Sequence, residues 1–468
     1  MASVARPPGP KGLPILGCLV DLRRRPLDLM LESTRYGDVA YVRLPFVGGA
    51  YLLNHPDYIR SVLVDNAKGF VKSVDYAVLK LLLGEGLVTS EGELHRRQRR
   101  LIAPAFHRGR ISTYADIMTR YGLRMCERWQ SGATLDIHRE MTQLTLAIVS
   151  KTLLGADVDS AEASAVSDAV TMLMPLIDNP ILILSPKLFR WMPGHRSYGR
   201  ALQLLDSTIY RIVAEHRRTG DDRGDLLSML LAARDEEDAG RRMSDQQVRD
   251  EVMTIFLAGH ETTANALTWA FYLLSQNPEA EARLHAELDV VLGGRRPTLD
   301  DLPRLTYAAL VLDESLRMYP PVWAIGRRAL SDVQLGGWGI PAGSNIALSQ
   351  WAMHHDARYY PDPWAFRPER WLPGEQEKRP EFSFFPFGGG PRICIGESFA
   401  RMEAALLIAG IAQNWRLRLE PGFRVELLAL VTLRPKVGLR MTLERRARKE
   451  EAVRELRPES AAPPRLVS

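Results

Sequence analysis

The feature that most constrains the fold is one long helical segment, Asp245 to Gln276. Ser244 precedes it at capping-box spacing from Gln247, and the next segment is capped afresh at Asn277-Pro278. At 1.5 Å per residue such a helix spans about 48 Å, more than the width of a typical small domain. We therefore expect this helix to cross the whole molecule.

The rest of the chain is patterned as mainly helix with a small β region. Period-two alternation at Val39 to Leu44 and Tyr51 to Leu53 predicts a small sheet near the N-terminus. Further strands are predicted within residues 327–350 and 416–441, and a packed loop rich in proline and aromatic residues is predicted over residues 360–387.

No linker, repeat or low-complexity tract divides the chain before its last thirty or so residues. We therefore expect one large domain over residues 1–441 and a charged, flexible C-terminal tail over residues 442–468.

Composition excludes several classes of protein. The chain is 46% hydrophobic and 25% charged, which is typical of a globular protein with a large core. Its net charge of +5 comes from 61 basic and 56 acidic residues, without a basic stripe interleaved with aromatic residues, so we expect no nucleic-acid partner. The N-terminal stretch MASVARPPGPKGLPILG has too many prolines and too short an apolar run for a signal peptide or membrane anchor. This favours a cytoplasmic protein.

The three cysteines, Cys18, Cys126 and Cys394, fit neither a disulfide framework nor a zinc site, because their number is odd and they lie far apart. Cys394 differs from the others in its surroundings, FGGGPRICIG, followed by a helical run from Glu397 to Ile411. Glycines allow something large and flat to approach the sulfur, while Arg392 and the helix start favour a thiolate. The residues alone leave three readings: a small buried hydrophobe, a nucleophile with a histidine base, and a metal-bound thiolate.

The pattern Phe387-x-x-Gly390-x-Arg392-x-Cys394-x-Gly396 resembles the haem-binding signature of the cytochromes P-450. The resemblance extends over nearly the whole chain. It implies a mainly α, single large fold of that family, soluble and bacterial in type, with a long central helix and a small β-sheet region. It also implies that the cofactor is haem b, that Cys394 is the thiolate ligand of its iron, and that Phe387 packs beside the sulfur.

The second feature is the pair Glu314 and Arg317, which lie on one face of a predicted helix from Leu305 to Met318. On its own such a pair is most often an exposed salt bridge. The segment FRPERW around Arg370 resembles the second arginine motif of the same family, which implies a buried network of Glu314, Arg317 and Arg370.

The long helix carries a third match, Ala258-Gly259-His260-Glu261-Thr262. A polar cluster in mid-helix is often a satisfied core network. The cluster resembles the family's oxygen-binding motif, in which Ala258 and Gly259 leave room beside the iron and the Thr262 hydroxyl bonds the Ala258 carbonyl. Glu261 and Thr262 are then the catalytic pair that relays protons, and His260 has no assigned role.

Haem propionates need cationic partners. The resemblance implies that these are His95 and Arg99 on one helical face, Arg327 in a later strand, and Arg392 in the cysteine loop. Three further arginines, at positions 96, 97 and 100, form either a solvated face or a basic surface for an acidic electron donor.

The resemblance implies a monooxygenase that inserts one atom of O2 into a C–H bond, with electrons from a separate ferredoxin or flavodoxin-type donor and its reductase. Apolar stretches at residues 171–193, 322–325 and 428–433 predict a hydrophobic substrate such as a fatty acid, terpenoid or polyketide. The alternatives are a peroxygenase or isomerase on the same haem-thiolate site, a non-enzymatic haem sensor or carrier, and a cysteine hydrolase without haem.

Overall fold

The computed structural model of the protein describes residues 6–45, 48–156, 194–219, 223–235 and 241–446, with isolated positions between residues 165 and 191. Its helices are α1 (Leu19–Arg24), α2 (Pro26–Ser33), α3 (Pro56–Arg60), α4 (Tyr76–Leu83), α5 (Gly92–Ile102), α6 (Arg108–Ile111), α7 (Ala115–Glu127), α8 (Ile137–Leu154), α9 (His195–Thr219), α10 (Leu226–Ala232), α11 (Asp245–Gln276), α12 (Pro278–Leu292), α13 (Thr306–Met318), α14 (Gln350–His354) and α15 (Glu397–Ala412). Its strands are β1 (Val39–Val42), β2 (Ala50–Leu53), β3 (Phe70–Lys72), β4 (Thr134–Asp136), β5 (Arg234–Asp235), β6 (Arg241–Arg242), β7 (Ile325–Ala329), β8 (Val333–Leu335), β9 (Trp338–Ile340), β10 (Asn345–Leu348), β11 (Trp415–Leu419), β12 (Leu427–Ala429), β13 (Leu433–Pro435) and β14 (Arg440–Arg445).

The prediction of one long central helix is confirmed. Helix α11 runs from Asp245 to Gln276, and both capping-box bonds are present: the Gln247 N–H donates to Ser244 Oγ at 3.2 Å and the Ser244 N–H donates to Gln247 Oε1 at 3.1 Å. Helices α8, α13 and α15 and strand β11 all pack against it. The helix therefore lies in the core of the protein and is buried on every side for most of its length.

Strands β7 and β10 join the strands near the N-terminus in one sheet, whereas β8 and β9 pair separately with each other. The first sheet has the order β1-β2-β10-β7-β3, with β10 parallel to β2 and the other pairs antiparallel. The sequence predicted both groups of strands but not their pairing, and it missed β3. In the register of β3 and β7, Lys72 lies directly opposite Arg327.

A second sheet, of order β11-β14-β4, pairs two strands near the C-terminus with β4. Strand β14 continues to Arg445, four residues past the domain boundary at residue 441 that the sequence indicated. Residues 447–468, which hold most of the predicted tail, lie outside the described residues.

The Glu314 network is buried, as predicted. Glu314 and Arg317 are both 0% exposed, and two bonds of 2.9 Å join the guanidinium to the carboxylate. Arg370 Nε lies 3.3 Å from Glu314 Oε1, while Trp371 Nε1 and the Arg367 backbone N–H also donate to the carboxylate at 3.0 and 2.9 Å. Because five donor contacts satisfy this carboxylate, the network fastens α13 to the loop that follows residue 360.

We expect Arg317→Ala to lower the free energy of unfolding by about 3–5 kcal/mol, because it leaves the Glu314 carboxylate buried without its main partner. Arg367→Ala is the matched control, since Arg367 pairs through its side chain with Asp362 where both are more than half exposed, and such a pair contributes about 0–1 kcal/mol. Urea denaturation of the three proteins measures both effects. Equal losses in the two variants would mean that the buried pair is no more important than the exposed one.

Candidate active site

The loop before α15 presents Cys394 on a backbone that only glycine can form at one position. Gly390 has a φ of +65°, and a Cβ there would lie 1.8 Å from the carbonyl oxygen of Leu63. The Cys394 N–H donates to the Phe387 carbonyl at 3.0 Å and closes the loop. The glycine-rich sequence is therefore required by close approach of this loop to the segment around Leu63.

Cys394 is exposed, whereas Cys18 and Cys126 are buried. Yet protein surrounds the Cys394 sulfur closely enough that desolvation raises the pKa of its thiol. Backbone N–H groups of Gly396 and Glu397 and the charge of Arg99 act in the opposite direction. A side chain that is both accessible and desolvated lies in a cavity, and a metal ion bound to the sulfur would deprotonate it outright.

A short accessible strip interrupts the buried part of α11. From Val248 to Leu274 every residue is buried except Ala258, Gly259, Thr262 and Tyr272. The first three lie within one turn and on one face, and the Thr262 hydroxyl donates to the Ala258 carbonyl at 2.7 Å, as the sequence predicted. The helix thus leaves open space next to Ala258 and Gly259.

Five basic side chains cluster beside the cysteine loop: Lys72, His95, Arg99, Arg327 and Arg392. Burial lowers the pKa of Lys72 to about 7, with the charges of Arg392 and Arg327 adding to the effect. Burial lowers the pKa of His95 to about 3, with Arg392, Lys72, Arg99 and Arg327 contributing in that order. So much mutually repelling positive charge is suited to an anionic ligand.

The sequence predicted four of these five side chains, and the hydrogen bonds of Arg99 and Arg392 hold them beside the cysteine loop. Arg99 Nη1 donates to the Ile393 carbonyl at 2.8 Å, next to Cys394. Arg392 donates to the Ser90 carbonyl at 2.8 Å and also pairs with the Glu91 carboxylate.

The sequence reading missed Lys72 and Tyr76, which join the cluster through strand β3 and the start of α4. Lys72 faces Arg327 across the sheet, and Tyr76 hydrogen-bonds the Arg327 side chain. A lysine in a three-residue strand carries no signal in one sequence, because only the pairing of β3 with β7 brings it to Arg327.

Phe387 is a half-buried residue of the cysteine loop. The Arg401 guanidinium lies over its ring, with Arg401 Cζ 5.0 Å from the ring centroid. Arg401 pairs in turn with Asp313 of α13 at 2.6 Å. The phenylalanine is therefore held against the first turns of α15.

Glu261 lies on a different side of α11 from the accessible strip. Its Oε1 accepts from the Thr432 hydroxyl at 2.7 Å and lies 4.0 Å from Arg434 Nη1. No hydrogen bond between Glu261 and Thr262 is present among the described residues, although the sequence placed them together as a pair. The His260 side chain is buried, with Nδ1 2.7 Å from the Phe256 carbonyl oxygen, and its backbone oxygen accepts from the Thr145 hydroxyl.

The segment 84–90 also borders this region, and the sequence reading did not select it. Val88 is half-exposed between the buried residues Leu87 and Thr89, and Lys72 Nζ donates to its carbonyl. Glu251 of α11 holds the segment by accepting from the Leu87 N–H at 2.9 Å. Gly86 packs so closely on α11 that a Cβ there would meet the Thr254 hydroxyl.

These features together fit one cofactor. A thiol in a cavity, an accessible strip on a buried helix and a cluster of cations suit a flat, metal-bearing group with anionic substituents. Haem b has this chemistry, since its iron takes a thiolate and its two propionates take cations.

Comparison with known proteins gives the same class. Residues 7–436 match the family Cytochrome P450, and the chain belongs to that family. It is 39% identical to cyclooctatin synthase of Streptomyces melanosporofaciens over 89% of this chain and 91% of that protein. Identity to cyclooctat-9-en-7-ol 5-monooxygenase of the same organism is 40%, over 88% and 90% of the two chains. Identity to pentalenene oxygenase of Streptomyces avermitilis is 37%, over 93% and 97%.

The protein is therefore a monooxygenase that uses haem b, O2 and a redox partner, and the mainly helical fold expected from the resemblance is confirmed. The alternatives left open by the sequence receive no support from these relatives. Among the helices that the structure describes, none combines the length and apolar character needed to cross a bilayer.

The buried acid Glu251 gives this region a pH dependence. Desolvation raises the pKa of Glu251 from 4.5 to about 8, so between these pH values the folded protein keeps a proton that the unfolded chain releases. Stability from this group is present below pH 4.5 and is lost as the pH rises towards about 8.

We therefore expect Glu251→Gln to gain stability relative to the wild type as the pH is raised from about 5 to about 8, measured by urea denaturation at each pH. Glu279→Gln, at an exposed position on α12, is the control and should show no such trend. A constant difference between Glu251→Gln and the wild type across the range would show that Glu251 ionises normally.

Proposed function

We propose that Cys394 Sγ is the protein ligand of the haem iron. The observation that carries this proposal is the position of the sulfur, accessible within a cavity on a glycine-dependent loop and facing N–H donors at the start of α15. When bound, haem supplies the activation of dioxygen that the family's chemistry requires. Phe387, held by Arg401, limits the access of water to the sulfur.

We propose that the basic cluster holds the two propionates. His95, Arg99, Arg327 and Arg392 were predicted for this role, and Lys72 joins them by its place opposite Arg327. Repulsion among these cations contributes to the lowered pKa values of Lys72 and His95. Anionic propionates bound here would offset that repulsion.

The oxygen side of the site is assigned to α11. We assign the space beside the cofactor to Ala258 and Gly259, which border the open strip. A Cβ on Gly259 would lie 3.1 Å from Val149 Cγ2, so the glycine also lets α11 pack closely against α8. Thr262 holds its hydroxyl proton on the Ala258 carbonyl, so its oxygen faces the open strip as an acceptor. Glu261, one residue away, exchanges protons with the solvent side of the helix.

A terpenoid is the substrate class that we propose. The names of three relatives refer to cyclooctatin, cyclooctat-9-en-7-ol and pentalenene. In this chain, residues 322–325 and 430–431 are half-exposed and largely apolar, and they meet through a 2.6 Å bond from Trp323 Nε1 to the Leu430 carbonyl. The fatty-acid and polyketide alternatives have no such support. Most of the predicted apolar stretch 171–193 lies outside the described residues.

The electron donor is proposed to be a ferredoxin or flavodoxin-type protein served by its own reductase. Arg96 and Arg100 lie exposed on α5, whose buried face carries His95, so these arginines are placed to meet an acidic donor. The cytoplasmic location remains a prediction from the sequence.

Replacing the ligand tests the central assignment. We expect Cys394→Ser to abolish the red-shifted Soret band of the reduced carbon monoxide complex, because a hydroxyl does not supply the thiolate that shifts it. Cys18→Ser is the control, since the buried Cys18 sulfur only donates to the Pro10 carbonyl at 3.6 Å, and its spectrum should stay that of the wild type. Retention of the band in Cys394→Ser would assign the iron ligand to another residue.

Substrate class is tested by titration of the haem absorption spectrum with cyclic sesquiterpenes and diterpenes and with fatty acids of equal carbon number. We expect the terpenes to bind more tightly. Val322→Asp should weaken terpene binding at least about tenfold, since Val322 is one of the half-exposed apolar residues assigned to the substrate and the change places a charge against an apolar ligand. Val290→Asp is the matched control because Val290 is 79% exposed on α12. Tighter binding of the fatty acids, or equal effects of the two variants, would contradict the assignment.

A further inference from the structure

The last residue of α14, His354, contacts both the Glu314 network and the segment that leads into the cysteine loop, and it is 0% exposed. Arg317 Nη1 donates to the His354 backbone oxygen at 2.9 Å. The Phe385 N–H donates to His354 Nε2 at 3.1 Å. One residue is therefore bonded through its backbone to the buried network and through its ring to the chain two residues before Phe387.

Aromatic contacts hold the imidazole in this position. The ring centroid of His354 lies 5.1 Å from that of Phe384 and 5.5 Å from that of Phe385, and the second pair is arranged edge to face. Phe384 packs in turn against Trp371, with 4.2 Å between the ring centroids. With an aromatic ring on two sides, the imidazole has little freedom to turn away from the Phe385 N–H.

The Phe385 N–H needs the acceptor that His354 supplies. Phe385 is 3% exposed and lies in no helix or strand, so no regular backbone ladder satisfies its donor, and a buried N–H without a partner is costly. The backbone bonds then continue towards the sulfur. The Phe385 carbonyl accepts from the Gly388 N–H at 2.9 Å, and the Phe387 carbonyl accepts from the Cys394 N–H at 3.0 Å.

This contact determines the tautomer of His354. A backbone N–H can only donate, so Nε2 is the bare nitrogen and the proton of the neutral ring lies on Nδ1. An imidazolium would carry a proton on Nε2 and lose the bond to Phe385. Burial, followed by the charges of His355 and Arg317, holds the pKa of His354 well below its ordinary value. The surroundings thus keep the form of the ring that the contact requires.

We propose that His354 is a positioning residue for Cys394. Its Nε2 fixes the Phe385 N–H and thereby the turn that carries Phe387 and the sulfur, so the effect depends on a hydrogen-bond acceptor and not on the volume of the ring. Outer groups that hydrogen-bond the elements around a metal ligand hold that ligand in the geometry that binding requires. The inference rests on the assignment of Cys394 as the iron ligand given under the proposed function.

The first test removes the acceptor and keeps an aromatic ring. We expect the reduced carbon monoxide complex of His354→Phe to lose its red-shifted Soret band at least about ten times faster than that of the wild type, because a loosened loop releases the thiolate from the iron. His354→Gln should restore most of the wild-type lifetime, since its side-chain oxygen can accept from the Phe385 N–H. Equally fast loss in the two variants would overturn the proposal, because ring volume would then be the important property.

His355→Phe is the matched control. His355 is 5% exposed, but its Nδ1 donates to the Trp351 carbonyl at 2.8 Å and its ring packs on Trp351 and Trp364, away from Phe385. This variant should keep the band as long as the wild type does, whatever its free energy of unfolding in urea. Equally fast loss in His355→Phe and His354→Phe would make the effect one of general stability and would contradict the proposed role.

A measurement on the wild type decides the case in which His354→Phe does not fold. The haem-loaded protein, with isotope-labelled histidine, is studied by nitrogen NMR in its reduced carbon monoxide complex, and the His354 signals are assigned by their absence in His354→Gln. We expect Nε2 to be bare and Nδ1 to carry the proton from about pH 8 down to about pH 5. A proton on Nε2 in this range is incompatible with the bond to Phe385 and would refute the proposal.

The ligand assignment and the role of His354 can fail separately. If Cys394→Ser keeps the red-shifted band, the iron ligand is another residue and the proposed function fails, whatever His354→Phe does. If Cys394→Ser loses the band while His354→Phe keeps it as long as the wild type, the ligand assignment stands and only the role of His354 is wrong.

Discussion

Burial of α11 along nearly its whole length is the constraint on which the rest of the structure depends. A helix with solvent on no side must be covered by other elements, and α8, α13, α15 and β11 cover it here. Because this cover is almost complete, the opening at Ala258, Gly259 and Thr262 is confined to one turn. The position of the site is thus decided by where packing against one helix is left incomplete.

Charge is the second determinant of the site. The Glu314 carboxylate is surrounded by donors, so its buried charge is balanced within the protein. The cations around Arg327 are balanced only in part, with Glu91 paired to Arg392. The first arrangement is complete and fastens the fold, whereas the second has unused positive charge and is suited to a ligand.

The sequence predicted the elements better than their pairing. Capping and periodicity predicted the first and last residues of α11 correctly, since both are local properties of the chain. The parallel pairing of β2 with β10 joins residues almost 300 positions apart, and nothing local in a strand of four residues specifies such a partner. Lys72 was missed for this reason: its role depends on a strand pairing and not on its neighbours in the chain.

The register of β3 and β7 has a consequence for assembly of the protein. Like charges directly opposite each other weaken a strand pair, and Lys72 faces Arg327 at this edge of the sheet. A ligand that binds only the folded state adds its binding free energy to the stability of the elements that hold it. Under the proposed assignment of the propionates, haem binding stabilises the pairing of β3 with β7, and we expect the segment from β3 to α4 to be cut faster by proteases in the haem-free protein.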